Sequence, residues 1–259
     1  MNVRTTVRDG LLLNWALAEE DLPKPPAPLR YHLQHLQGSE GPKVLACALL
    51  SFHDAVPLSA LPLLRFSYPQ FSLALAVVDH EGIPSFLFRR VLVPPWVLPA
   101  ARLVARQPVV VARLAFDRPS ESPDSREWRW RIEKEEAFEV SARLAAPQGG
   151  ALTGSWQRDV DLFRQRHRGY YLDSRGDLKG VRTAIPEARF LPLAAEAHEQ
   201  SLLDHCLPLQ GEARWPALHS AVLFPELPFE SELCLTPQVS LAGQMPQPAA
   251  SRRTSLGAA

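Results

Sequence analysis

The sequence predicts a mainly β fold with a few helices, its strands pairing mostly antiparallel and its sheet closing on itself. Three observations carry this. Trp128, Trp130 and Ile132 alternate with Arg129, Arg131 and Glu133, and Phe138, Val140, Ala142 and Leu144 alternate with Glu139, Ser141 and Arg143. Such a period of two marks strands with one buried and one wet face. Strand-like stretches also recur along the chain without a break at any midpoint, which favours one domain over residues 1–235. Finally, the stretches are joined by short turns, which suit antiparallel neighbours, and closing such a sheet removes its exposed edges.

The elements follow in order. Residues 11–17, LLLNWAL, read as a first strand with Asn14 as a polar interruption. Residues 18–22 form a helical turn that the prolines at 23, 25, 26 and 28 end. Residues 31–36 are a short strand closed by a turn at 37–41. Residues 44–52, VLACALLSF, are apolar on both faces, as a covered central strand is. Residues 57–62 are a connecting loop.

Residues 66–88 organise the rest. Phe71, Leu73, Leu75 and Val77 share one face of a strand, while Ser72, Ala74, Ala76 and Val78 share the other. Residues 79–82 make a turn, and 83–88 run back as a second strand. The bulky face belongs in a core. The small face lets another element or a ligand approach, and Gln70 stands at its entrance.

Pro95 suits the first turn of a helix on which Trp96, Ala100, Leu103 and Val104 share a face. Residues 109–116 are a strand, and 117–126 an exposed loop. The two alternating stretches then form a hairpin turning near Glu135 and Glu136. Trp156, Val160 and Phe163 make the apolar stripe of a short helix. Residues 170–173 and 178–184 flank a hairpin turn, 193–206 read as a helix, and 218–224 are a last strand. Residues 236–259, proline- and alanine-rich, read as a disordered tail.

The bulk numbers exclude several classes. At 46% hydrophobic, 259 residues bury a sizeable core. A formal net charge of 0 argues against general nucleic-acid binding. Every long apolar run is interrupted by proline or charge, so no membrane span is expected. Cys47, Cys206 and Cys234 show no CxxC spacing, and residues 11–13 are too short for a signal core, which points to a reducing cytoplasm.

Few residues announce chemistry. His198 and His205, seven apart on the expected helix, lie roughly 10 Å from each other, too far for a shared metal. His32 and His35 fall on opposite faces of a strand. No GxSxG, Walker A or GxGxxG pattern occurs, so no cofactor and no metal are expected. The densest basic spot is Arg164, Arg166 and Arg168 with His167 between. If Tyr170 continues this stretch as a strand, Arg166, Arg168 and Tyr170 share a face. Arginine forks suit carboxylate or phosphate, and a solvated strand face paired with nearby acids is the plainer alternative.

The order of LLLNWALAEEDL, VLACALLSF, SYPQFSLALAVVDHEGIPSFLF, RLVARQPVVVARL and DLFRQRHRGYYLDSRGDLKGVRTAIPEARFLPL, over residues 11–222, resembles the YqjF-like uncharacterised family, a domain of unknown function related to acetoacetate decarboxylase. The resemblance implies an acetoacetate decarboxylase-like fold, a large, mostly antiparallel, closed or cone-shaped β-structure around an internal cavity. It does not carry the decarboxylase chemistry. Those enzymes form a Schiff base with a lysine in a Gly-x-Pro-Lys-Lys stretch, and the matching stretch here is Arg106-Gln107-Pro108-Val109-Val110. Their central-strand glutamate corresponds to Gln70, which is no acid or base. Family members read roughly Thr-Glu-Arg-Tyr-Arg where this chain has Arg164-Gln165-Arg166-His167-Arg168; the two arginines match.

The expectation is therefore a cytoplasmic protein that binds a small organic molecule in a β-cavity, an anion if the arginines line it, without Schiff-base decarboxylation. Asn14, Gln70, Arg166, His167, Arg168 and Tyr170 are the candidate ligand contacts. An enzyme using the same cavity, with His167 titrating near neutrality, is the alternative. A scaffold or interaction protein whose interior is filled by side chains is another.

Overall fold

A computed structural model describes residues 2–23, 31–36, 41–58, 61–101, 109–117, 127–133, 136–145, 155–172, 178–184 and 188–234. The expected tail at 236–259, the loop at 118–126 and the Arg106–Pro108 part of the family stretch lie outside them.

The strands are β1 (Asn2–Ala18), β2 (His32–Leu33), β3 (Lys43–Leu58), β4 (Leu61–Val78), β5 (Pro84–Val93), β6 (Val109–Val111), β7 (Arg113–Asp117), β8 (Glu127–Glu133), β9 (Ala137–Leu144), β10 (Arg168–Leu172), β11 (Leu178–Ala184), β12 (Leu191–Glu199) and β13 (Ser220–Cys234). The helices are α1 (Leu98–Ala100), α2 (Ser155–Gln165) and α3 (Ser201–Cys206), with 3-10 turns at Glu19–Asp21 and Pro95–Val97.

Pairing runs β1–β3–β4–β5–β10–β11–β13 and returns from β13 to β1, so the sheet closes into a ring. Its neighbours are antiparallel except β5 and β10, which are parallel and are separated in sequence by α1, β6–β9 and α2. That second sheet, β7–β8–β9–β12, is antiparallel and joins the ring through Leu191 and Pro192 against β13.

Each ring strand sends alternate residues to two cores. Leu11, Leu13 and Trp15 of β1, Ala46, Ala48 and Leu50 of β3, and Phe71, Leu73, Leu75 and Val77 of β4 pack toward the second sheet and α3. The other face, Leu12, Leu45, Cys47, Ala74, Ala76, Phe86 and Phe224, wraps around Val160 and Phe163 of α2. The small face of β4 is thus where a helix approaches, as its alanines and serine predict. The expected stripe of α2 is the one that packs there.

The second sheet has the register its alternation predicts. Trp128, Trp130 and Ile132 are buried, and Arg129 and Arg131 are exposed. A slip of β8 by one residue would expose these three side chains, a loss of about 5–9 kcal/mol.

Three expectations fail locally. Of the loop expected at 57–62, the described residues are strand: Pro57 pairs with Arg65 and Leu58 with Leu61, beside register shifts in which a proline's missing donor is tolerated, while residues 59 and 60 lie outside the described residues. Residues 193–206 are not one helix. Leu193, Ala195 and Ala197 pair along β9 and turn their side chains to the core, and only Ser201–Cys206 is helical, because cross-strand packing outweighs helix propensity. Trp96 is not on a buried stripe. It is 55% exposed and leans edge-on against Phe66 and Tyr68, while Val97 takes the buried place.

Candidate functional site

Between α2 and the inner face of the ring lies a cavity of about 80 Å³. Phe86 and Phe88 of β5, Phe163 of α2, and Phe224 and Phe229 of β13 give its apolar wall five aromatic rings, joined by Val7, Leu12 and Leu227. Cys47, Leu49 and His53 come from β3, and Gln70, Ser72 and Ala74 from β4. These residues converge because period-two alternation sends them all to the inner face and the antiparallel register sets Cys47 beside Ala74, Leu49 beside Ser72 and Ser51 beside Gln70. A left-handed backbone at Asp9 (φ 48°) in the β1 irregularity brings Gly10 beneath the Phe224 ring, where a Cβ would overlap it.

The polar end of the cavity is built from neutral groups. The Gln70 amide N–H donates to the Ser72 hydroxyl at 3.0 Å. His53 lies 3.1 Å from the Ser51 hydroxyl through Nε2, is stacked on Tyr68 with centroids 5.0 Å apart, and meets Phe229 edge-on. Burial holds the His53 imidazole uncharged, lowering its pKa to about 4.

Behind the Cys47 wall sits a second polar group. Asn14 Nδ2 donates to the Ser220 hydroxyl at 2.9 Å, and that hydroxyl donates to Asp159 Oδ2 on α2. His219 Nε2 is 3.7 Å from the same oxygen, and Asp159 Oδ1 is buried with no partner among the described residues. Burial raises the Asp159 pKa; the Ser220 hydrogen bond, His219 and Arg166 oppose it. Arg166, also buried, donates to Gln34 Oε1 at 2.9 Å and lies over the Phe86 ring. Burial lowers the Arg166 pKa, and Cys47 and Asp159 oppose that. Burial pushes the Cys47 thiol up to about 12.

The sequence-derived candidates thus separate. Gln70 lines the cavity, and Asn14 and Arg166 lie in the cluster behind it. Tyr170 belongs to the opposite core, and with the partly exposed Arg168 it ties β10 to the β4–β5 turn. Arg168 meets Asp79 at 3.1 Å and Glu81 at 2.6 Å, and the Tyr170 hydroxyl donates to Asp79 at 2.9 Å. Burial works against the Asp79 charge, but N–H groups of Ile83 and Glu81, the Tyr170 hydroxyl and Arg168 hold its carboxyl below the ordinary range. His167 is exposed between α2 and β10. Arg166 and Arg168 do not share a face because β10 starts only at Arg168.

His53 is the residue that sequence reasoning passes over. It stands one position past the expected end of the central strand, yet the alternation Cys47, Leu49, Ser51, His53 would have put it on the inner face. The other histidines are dispersed: His198 is 2.8 Å from the Ser141 hydroxyl on the second sheet, and His205 on α3 is 3.1 Å from Glu136.

Among solved structures, the enduracididine biosynthesis enzyme MppR with HEPES buffer bound superposes at a TM-score of 0.59 with 11% identity, over 92% of this chain and 89% of that one. An acetoacetate decarboxylase-like enzyme from Sphingomonas wittichii RW1 gives 0.55 at 11% identity, over 90% of each chain. The fold is acetoacetate decarboxylase-like. MppR has also been solved with pyruvate, and with the condensation product of pyruvate and imidazole 4-carboxaldehyde. No family model matches this chain, and no curated protein does. Within the acetoacetate decarboxylase-like fold of this chain, the described lysines, Lys43 and Lys179, are not among the cavity's lining residues, and Lys24 and Lys134 lie outside the described residues. Val109 is buried in a separate small core with Val93 and Val97.

Proposed function

We propose that this chain binds a small, uncharged organic molecule in the cavity between α2 and the ring. The observation that carries the reading is the lining: apolar side chains, five of them phenylalanines, on most of the wall, with neutral His53, Gln70 and Ser72 among them and no charged side chain among the lining residues described. Ligand sites are mostly apolar with a few convergent polar groups. An anion would need Arg166, whose guanidinium is engaged by Gln34 and covered by Phe86.

A cavity of about 80 Å³ suits a guest no larger than about six non-hydrogen atoms. At about 0.7 kcal/mol per atom, its dissociation constant falls near 1 mM. The reading leaves out Schiff-base chemistry, since neither described lysine lines the cavity and the matching family stretch has none. The order of the sequence stretches supports a place in the YqjF-like family within this fold.

Ligand-observed NMR with pyruvamide and pyruvate, equal in size and unequal in charge, tests the proposal. Pyruvamide should bind near the millimolar range and lose that binding in Ala74→Leu, which fills the cavity. Tighter binding of pyruvate would support an anion site instead. A second reading, an interaction protein with a filled interior, is favoured by the crowding of Phe86, Phe88, Phe163, Phe224 and Phe229 around so small a space; binding of neither probe would support it.

A further inference from the structure

We propose that His53 is the specificity-determining residue of the cavity, presenting a ring nitrogen that selects ligands with a neutral hydrogen-bonding group, a carbonyl, amide or hydroxyl, over carboxylates. The proposal rests on the cavity reading above and adds to it the group that chooses the ligand.

The geometry has three parts. First, His53 is fixed. Its ring is stacked on Tyr68, met edge-on by Phe229 and only 6% exposed, so it has no other rotamer to take without breaking that sandwich. Second, one ring nitrogen is committed and the other is not. Nε2 is within hydrogen-bond distance of the Ser51 hydroxyl, and Nδ1 has no partner among the described residues although the ring lines the cavity. Third, the surroundings are neutral: Ser51, Tyr68, Phe229, Gln70 and Ser72 offer no compensating charge.

These parts define a recognition rule. A neutral imidazole carries one proton on two nitrogens, and Ser51 can serve either arrangement. When the Ser51 hydroxyl donates to Nε2, Nδ1–H donates to a carbonyl oxygen of the guest. When Nε2–H donates to Ser51, Nδ1 accepts from a guest hydroxyl or amide. A carboxylate finds only neutral donors here, His53, Gln70 and Ser72, and these do not offset the removal of its charge from water. Specificity of this kind arises because an unmatched guest leaves buried polar groups unpaired.

The test uses xenon and pyruvamide on the full chain. Xenon needs only the apolar cavity, so it should enter wild type and His53→Phe alike, read from its NMR shift. His53→Phe keeps an aromatic ring against Tyr68 and removes both nitrogens; it should weaken pyruvamide binding by at least about tenfold, the worth of a hydrogen bond to a buried group. In the wild type, with ¹⁵N-labelled histidine, pyruvamide should move the His53 Nδ1 resonance, a readout that does not depend on any variant folding. Equal pyruvamide affinity in wild type and His53→Phe with xenon in both, or a stationary Nδ1 resonance in the pyruvamide-saturated protein, would overturn the role of His53 and leave the cavity reading standing. Exclusion of both xenon and pyruvamide would end the cavity reading and this proposal together.

Discussion

Acidification should weaken the fold through His53, and the size of the effect follows from its burial. Unfolded, the imidazole titrates near its ordinary 6.5; folded, burial lowers that to about 4. Between these values the unfolded chain holds a proton that the folded chain lacks, so acid favours unfolding. The stability that the neutral ring permits is complete above about pH 6.5 and is lost as the pH falls toward about 4. From about pH 7.5 to about pH 5 the loss amounts to about 2 kcal/mol, and it approaches about 3 kcal/mol below pH 4. Urea unfolding at a series of pH values, for wild type and His53→Phe, isolates this residue, because distant titrating groups cancel in the difference. The gap between the two curves should change by about 2 kcal/mol between those pH values, with the variant gaining on wild type in acid. Curves that stay parallel would mean that the folded protein accepts a proton on His53 freely, and the account of a dry, neutral polar end would be refuted.

Other outcomes follow from single contacts. Asp159→Asn should raise stability at neutral pH or leave it unchanged, since burial raises the carboxyl's pKa and makes its charge unfavourable there; a loss above about 1 kcal/mol by denaturant titration would contradict this. The contribution has the opposite sign to that of His53: it improves as the pH falls. Gly10→Ala should lower stability by about 1–3 kcal/mol, because its Cβ would meet the Phe224 ring, and should also shrink the cavity, read as reduced xenon uptake. Trp130→Ala should cost about 3–5 kcal/mol and Arg129→Ala less than about 0.5, measured by the same unfolding titration. Borohydride added with pyruvate should trap no lysine adduct detectable by mass spectrometry; an adduct on one lysine, lost when that lysine is changed to alanine, would restore Schiff-base chemistry.

The sequence by itself determined what depends on local period. The alternation at Trp128–Glu133 and Ala137–Leu144, the bulky and small faces of β4, the stripe of α2 and the central position of β3 are all legible, because burying one face of a strand or helix leaves a repeat in the chain. Gln70 at the cavity was legible for the same reason, as it stands on the small face. Tertiary structure decided the rest. Whether Leu193–Glu199 is strand or helix depended on β9 lying beside it, which no property of those residues announces. Arg166 and Arg168 look alike in sequence, but the start of β10 between them sends one behind the inner wall and the other to Asp79. His53 lines the cavity uncharged only because Ser51, Tyr68 and Phe229, from three strands, enclose it: an imidazole's charge is set by what surrounds it, and those surroundings are assembled by long-range pairing.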